Sequence, residues 1–136
     1  MTALAAGRAT PRRDGKSYSY PVAASVTCYE GGLAVLDSSG NVKPGVTATG
    51  LVAVGIFASR VTNGATAAAV NADVEPGIYR FANSASTDLI AKAEIGDDCY
   101  IVDDQTVAKT NASSSRSVAG KIVDVDSIGV WVKIGI

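Results

Sequence analysis

Residues 95 to 134 read IGDDCYIVDDQTVAKTNASSSRSVAGKIVDVDSIGVWVKI, and this stretch decides the fold class. Its first apolar run, Cys99 to Val102, predicts a strand that leads into an acidic turn and a serine-rich loop. Ala119 to Ile134 then predicts a β-hairpin, because two apolar runs flank a turn that contains glycine. This layout is typical of a scaffold, and it places no nucleophile beside a base.

Short strands are also indicated in the chain before this stretch. Tyr18 to Cys28 alternates apolar and small polar residues, which predicts a half-buried strand. Leu51 to Ala58 is apolar on both faces, which predicts a central strand covered on both sides. Turn sequences separate the other predicted strands, which are Leu33 to Leu36, Ala65 to Val74 and Ile78 to Ala82.

A single helix is compatible with the pattern. Leu89 to Glu94 contains good helix formers between the capping residues Ser86 to Asp88 and the terminating Gly96. The other segments have the length and spacing of strands. We therefore predict an all-β fold, either a small β-barrel or a β-sandwich, with an extended N-terminal arm and at most one short helix.

Length and charge suggest a basic arm on an acidic body. The chain has 136 residues, enough for one domain with its own core. We predict an extended arm over residues 1 to 17 and a single β domain over residues 18 to 136. The net charge is −1, but the arm carries about +3, so the remainder carries about −4. The positive charges of the arm are Arg8, Arg12, Arg13 and Lys16.

The residue inventory argues against enzymatic chemistry. Histidine is absent, which removes the commonest general base and the commonest transition-metal ligand. No glycine-rich phosphate loop or dinucleotide fingerprint occurs, and two cysteines alone do not form a structural zinc site. We therefore expect no enzyme activity, no cofactor and no metal.

Acidic residues are densest around the strand at Cys99. Asp97–Asp98 and Asp103–Asp104 flank this strand, and Glu94 precedes it. Adjacent strand residues point to opposite faces, so neither pair forms a ready acid–base couple. Solvated turns are the favoured interpretation, a surface that binds a neighbouring basic arm is the second, and calcium binding or catalysis is the third.

The cysteines and the apolar runs indicate in which cellular compartment the protein is expected. Cys28 and Cys99 could form one disulfide bond. Two buried, reduced thiols are the favoured interpretation, because the chain shows no export signal. The longest apolar run, Leu51 to Ala58, is less than half a membrane span. We expect a soluble chain that is made in the cytoplasm and does not contact a membrane.

The arm allows three interpretations. It could be a solvated tail, it could bind nucleic acid, or it could dock on a neighbouring subunit. Nucleic acid is disfavoured, because the positive charges are few and no aromatic residue lies among them. An arm without a buried face needs a neighbour to order it, so we favour docking through Arg8, Arg12, Arg13 and Lys16.

Trp131 is the other candidate contact residue. Val130, Val132 and Ile134 share one face of the last strand, which leaves Trp131 and Lys133 on the opposite face. The indole could be covered by the second sheet of its own fold. It could also be buried against another subunit, since interfaces are enriched in tryptophan.

Two motifs in the quoted stretch resemble a known family. GDDCYIVDDQTVA, followed by RSVAGKIVDVDSIGVWV, is similar to the carboxyl-terminal half of tailed-bacteriophage head decoration proteins, which coat and cement the capsid. GLVAVGIF, at Gly50 to Phe57, and the basic arm extend the resemblance more loosely.

The resemblance implies a structural protein on the outer surface of the virion, assembled on an expanded shell in the host cytoplasm. Its implied partners are the major capsid protein and further copies of itself, most often as trimers. Two alternatives remain, a virion module that binds host-surface glycans and a carboxylate-dependent hydrolase. The glycan module would need exposed aromatic residues on loop tips, and the hydrolase would need a converging carboxylate pair.

Overall fold

The computed structural model describes residues 2 to 136, which form short strands and two 3₁₀ turns. The strands are β1 Tyr18–Pro21, β2 Thr27–Cys28, β3 Leu33–Leu36, β4 Val42–Pro44, β5 Val52–Phe57, β6 Val61–Thr62, β7 Asn71–Glu75, β8 Gly77–Phe81, β9 Asp98–Ile101, β10 Val107–Ala108, β11 Val118–Val125 and β12 Val130–Ile134. The 3₁₀ turns are Ser86–Asp88 and Lys92–Glu94.

The strands make three antiparallel sheets, which confirms the all-β prediction. Sheet 1 has the order β1-β7-β5-β3-β4, and sheet 2 has the order β10-β9-β11-β12-β8. A two-stranded sheet pairs β2 with β6. A single bridge between Ala82 and Thr106 brings the two margins of sheet 2 together, but no closed barrel forms.

Two hydrophobic cores lie on the two faces of sheet 1. The inner core packs Leu33 and Val35 of sheet 1 against sheet 2. The outer core lies on the opposite face, beneath Val22 and Cys28. Val54 and Phe57 of β5 point into the outer core, and Ala53 and Ile56 pack against the inner core. Strand β5 is therefore central and covered on both sides, as its sequence predicted.

The C-terminal hairpin also forms as predicted. Strands β11 and β12 pair from Lys121–Lys133 to Val125–Val130, with a bulge between Ile122 and Asp124. The three apolar residues of the predicted inner face of β12 are all buried, namely Val130, Val132 and Ile134.

Two strand predictions are wrong in part, and Asn63 explains both. The predicted strand from Tyr18 to Cys28 breaks after Pro21, and the predicted strand from Ala65 to Val74 begins only at Asn71. The buried Asn63 amide donates from Nδ2 to the carbonyl oxygens of Val22, Ala23 and Thr66 at 3.0–3.1 Å. Ser25 and Ala68 also have φ values of 58° and 64°, in the left-handed region that a continuous strand does not accommodate.

The short helix that the sequence allowed at Leu89 to Glu94 does not form as an α-helix, which agrees with the prediction of at most one short helix. Asn83 accepts a hydrogen bond from the Ile90 amide at 2.9 Å and donates to the Ile90 carbonyl at 2.8 Å. Ile90 is also buried in the inner core. Both backbone groups of Ile90 are thus bound outside any helix, so only a 3₁₀ turn on each side remains.

Candidate interaction surfaces

The N-terminal arm is fully exposed. Every residue from Thr2 to Ser17 is solvent-exposed, and β1 begins at Tyr18 on the margin of sheet 1. Within the arm, Lys16 lies 3.7 Å from Asp14, and Arg8 donates to the Thr10 hydroxyl at 3.3 Å. Such exposed contacts contribute little to stability, so the arm presents its positive charges to solvent.

Trp131 lies on the outer face of sheet 2, away from the inner core. Its half-buried ring is covered by the Arg80 guanidinium, whose Cζ lies 5.6 Å from the ring centroid. The indole Nε1 donates to Asp126 Oδ2 at 2.9 Å. Neighbours in its own sheet therefore cover the indole, and a second sheet does not. The structure places Trp131 on a different sheet from the one that the arm enters.

The turn before β12 is held by one carboxylate. Asp126 accepts from the Trp131 indole, and its Oδ1 accepts from the amides of Ile128 and Gly129 at 2.8 and 2.9 Å. These hydrogen bonds, with that from Trp131 the largest, lower the pKa of Asp126 below its ordinary value. Ile128 at the tip of the turn is 70% exposed.

The outer face of sheet 2 carries charged and apolar residues in cross-strand rows. One row runs from Ile78 through Lys133 and Lys121 to Asp98. Lys121 Nζ lies 2.7 Å from Asp98 Oδ1, and this hydrogen bond raises the pKa of Lys121. The next row runs from Arg80 through Trp131 to Asp124, which pairs with Lys92 at 3.1 Å.

The acidic residues near β9 engage in turns and ion pairs. Asp103 caps its turn by accepting from the Gln105 amide at 2.9 Å. Glu94 accepts from the Ala91 amide and pairs with Lys109 at 3.3 Å, and the Ala91 bond is the main cause of its lowered pKa. Within residues 2 to 136, no three Cys, Asp or Glu side chains converge in a way that could hold a metal ion.

Sequence reasoning missed an exposed aromatic residue. Tyr29 lies on a turn and is 55% exposed, and the Arg60 Cζ lies 5.4 Å from its ring centroid. A depression of about 370 Å³ adjoins it, lined also by Glu30, Asp104 and Gln105. The only signal in the sequence is Tyr29 beside Gly31–Gly32, a pattern that also fits an ordinary turn.

A larger groove opens beside the start of β5. It has a volume of about 480 Å³ and is bordered by Leu51 to Ala53 on one side. Val118 to Lys121 of β11 border the other side, with Asp98, Lys133 and Gly135. Sequence reasoning missed this site, because it forms only where the two sheets meet.

The cysteine thiols lie in separate cores. Cys28 belongs to the outer core and Cys99 to the inner core, and both are free. Burial raises the pKa of Cys28 to about 11 and that of Cys99 to about 12. Both thiols are therefore protonated at neutral pH.

Within residues 2 to 136, no helix is long and apolar enough to cross a membrane. Comparisons with family models, curated proteins and solved structures found no match to this chain. The resemblance to phage head proteins thus depends on the sequence features described above, chiefly the two motifs between Gly96 and Val132.

Proposed function

We propose that the protein is a structural decoration protein of a tailed-phage head. It binds the outer surface of the major capsid protein shell and associates with copies of itself, with trimers favoured. The observation that carries this function is the arm from Thr2 to Ser17, which is exposed along its whole length and joined to a β domain. The motif in strands β9 and β10 and the motif in the C-terminal hairpin support the same function.

The arm supplies attachment. Its backbone from Thr2 to Ser17 contains no strand, so most of its amides and carbonyls are open to pairing with a neighbouring chain. The exceptions are the Thr10 amide, which donates to the Arg8 carbonyl at 3.0 Å, and Pro11, which has no amide hydrogen. Arg8, Arg12 and Arg13 add charge that fits an acidic partner surface. Each exposed ion pair contributes about 0.2–1 kcal/mol, so several pairs together with backbone contacts are needed for stable attachment.

The outer face of sheet 2 supplies a second contact, around Trp131. Tryptophan and arginine are the residues that most often dominate interface energies, and here Arg80 already lies over the indole. This face carries mixed charges, which favours a polar partner surface. We place the contact residues at Arg8, Arg12, Arg13, Lys16 and Trp131, and no catalytic step is assigned.

The test compares the full-length protein with a form that lacks residues 2 to 16. Both are added to empty phage heads that lack decoration, and occupancy is measured by electron microscopy. We expect truncation to lower occupancy sharply while the melting temperature stays the same, because the deleted residues are exposed. Unchanged occupancy contradicts attachment through the arm.

A matched pair of variants distinguishes the effect of the arm's charge on attachment from the effect of its length. Replacing Arg8, Arg12 and Arg13 with glutamine should weaken attachment and reduce its salt dependence, whereas Asp14→Asn should not weaken it. Retention on bare DNA by the full-length protein, with a much steeper salt dependence, would assign the arm to nucleic acid. A hydrolase screen tests the non-enzymatic character independently.

A second candidate function is glycan binding at Tyr29. An exposed aromatic ring beside Glu30, Asp104 and Gln105 offers a stacking surface with several hydrogen-bond acceptors. Tyr29→Ala should then abolish binding to a glycan array and leave head occupancy unchanged. A decoration protein without this second role shows no array signal in either form.

A further inference from the structure

We propose that the groove beside β5 is a docking site for an extended, acidic segment of a partner protein, which adds to sheet 1 as a strand. The groove is lined by Leu51 to Ala53, by Val118 to Lys121, and by Asp98, Lys133 and Gly135. This site is separate from the arm, and its assignment does not require that the partner is a phage shell.

Strand β5 has an open backbone edge at the groove. Strand β5 pairs with β3 along Val52 to Ile56, but on its other side only Ile56 and Phe57 pair with β7. Among the described residues, the start of β5 therefore has no strand neighbour on that side. The Leu51 amide is already bound, because it donates to the Ser117 hydroxyl at 3.0 Å, so the open part of this edge begins after Leu51.

The other edges of sheet 1 are protected, which makes this opening distinctive. The edge strand β1 contains Pro21 and the edge strand β4 contains Pro44. Proline lacks an amide hydrogen and discourages the addition of another strand. The start of β5 carries no proline, and Val52 there is 51% exposed.

The shape and polarity of the groove suit an extended segment. Gly120 and Gly135 line the groove with backbone alone, because the protein's own backbone at Lys133 and Val54 fills the space that their side chains would need. Val52 and Val118, which is 42% exposed, offer apolar contacts on opposite sides. An extended strand satisfies both features, because its backbone pairs at the edge while alternate side chains meet the valines.

The charged side chains of the groove favour an acidic partner. Lys121 and Lys133 lie directly opposite each other on β11 and β12, an arrangement that destabilises a sheet when the charges are uncompensated. Asp98 pairs with Lys121 at 2.7 Å, whereas Lys133 has no ion-pair partner among residues 2 to 136. The lining thus has one more positive than negative charge, which favours a partner with a carboxylate. The same charge disfavours the basic arm of a second copy.

The test uses a fluorescent peptide of alternating valine and glutamate, with binding to the full chain followed by fluorescence anisotropy. We expect binding that weakens with salt and weakens about two- to five-fold in Lys133→Gln. Lys92→Gln, which removes an exposed lysine outside the groove, serves as the matched control and should bind as the wild type does. Equal affinity of Lys133→Gln and wild type overturns the charge assignment.

Three further measurements address strand addition, location and charge complementarity. Methylation of alternate peptide amides should weaken binding about ten-fold, because it removes backbone hydrogen bonds and preserves side chains. Equal binding of the methylated peptide overturns strand addition.

Amide hydrogen exchange of the protein should slow at residues 51–53 when the peptide is bound. Slowing confined to another strand edge overturns the location. Lys133→Glu should accept a valine–lysine peptide in preference to the valine–glutamate one, and an unchanged preference overturns the recognition of an acidic segment.

Discussion

The indole Nε1 of Trp131 donates a hydrogen bond to Asp126 Oδ2 at 2.9 Å, which ties the last strand to the turn that precedes it. The same carboxylate binds two backbone amides of the turn, so one side chain holds both the turn and the ring. Its lowered pKa means that the charged form is favoured in the folded state.

Asp126→Asn should therefore lower the melting temperature at neutral pH, and its difference from wild type should shrink in acid. The carboxylate stabilises the fold above its ordinary pKa of 3.8, and this contribution is lost as the pH falls through the folded-state value. Thermal melts at neutral pH and below pH 3.8 measure it, with the exposed Asp14→Asn as control. A difference that is the same at both pH values contradicts this role.

Asn63→Asp should destabilise the protein by about 1–3 kcal/mol at neutral pH. The substitution keeps the shape of the side chain but removes the Nδ2 donor that binds the carbonyls of Val22, Ala23 and Thr66. Urea unfolding measures the change, and Asn41→Asp, at a half-buried position in the loop after β3, is the comparison. A loss no greater than that of the comparison would show that the carbonyls find other donors.

Gly120→Ala should destabilise the protein by about 1–3 kcal/mol. A Cβ atom at this position would clash with the Lys133 carbonyl oxygen, so β11 and β12 would have to move apart. Gly64→Ala is the matched control, because nothing lies within 4 Å of a Cβ atom there. Equal melting temperatures for the two variants would mean that the hairpin accommodates the added methyl group without a loss of stability.

Ser113→Gly should stabilise the protein by about 0.5 kcal/mol, which is the reverse of the usual effect of glycine. Ala112, Ser113 and Ser114 have φ values of 50°, 58° and 66°, three consecutive residues in the left-handed region. Glycine relieves that strain, although it also increases the entropy of the unfolded chain. Ser127→Gly, at an exposed position outside this region, should not stabilise, and chemical denaturation separates the two.

The fold was predictable where local pattern and tertiary packing agree. Alternation in β12 correctly assigned Val130 and Val132 to the core and Trp131 to the outer face, because a strand fixes side-chain direction by its period alone. The apolar run of β5 likewise predicted coverage on both sides. Both predictions depend only on neighbouring residues in the sequence.

The errors occur where one polar side chain binds a distant backbone. Asn83 lies seven residues from Ile90, and Asn63 lies 41 residues from Val22. The periodicity of apolar residues does not reveal hydrogen bonds of this kind, so the sequence suggested a helix and two longer strands. The groove beside β5 was unpredictable for the same reason, since Ala53 and Lys133 come together only when both sheets pack.

The two cores draw on different parts of the chain, so their residues are synthesised at different times. All buried residues of the outer core lie between Val22 and Val74, so the ribosome has made every one of them before β8 emerges. The inner core is completed only with Ile134, two residues before the end. During translation, every buried residue of the outer core is therefore synthesised before the sheet 2 residues that cover Leu33 and Val35.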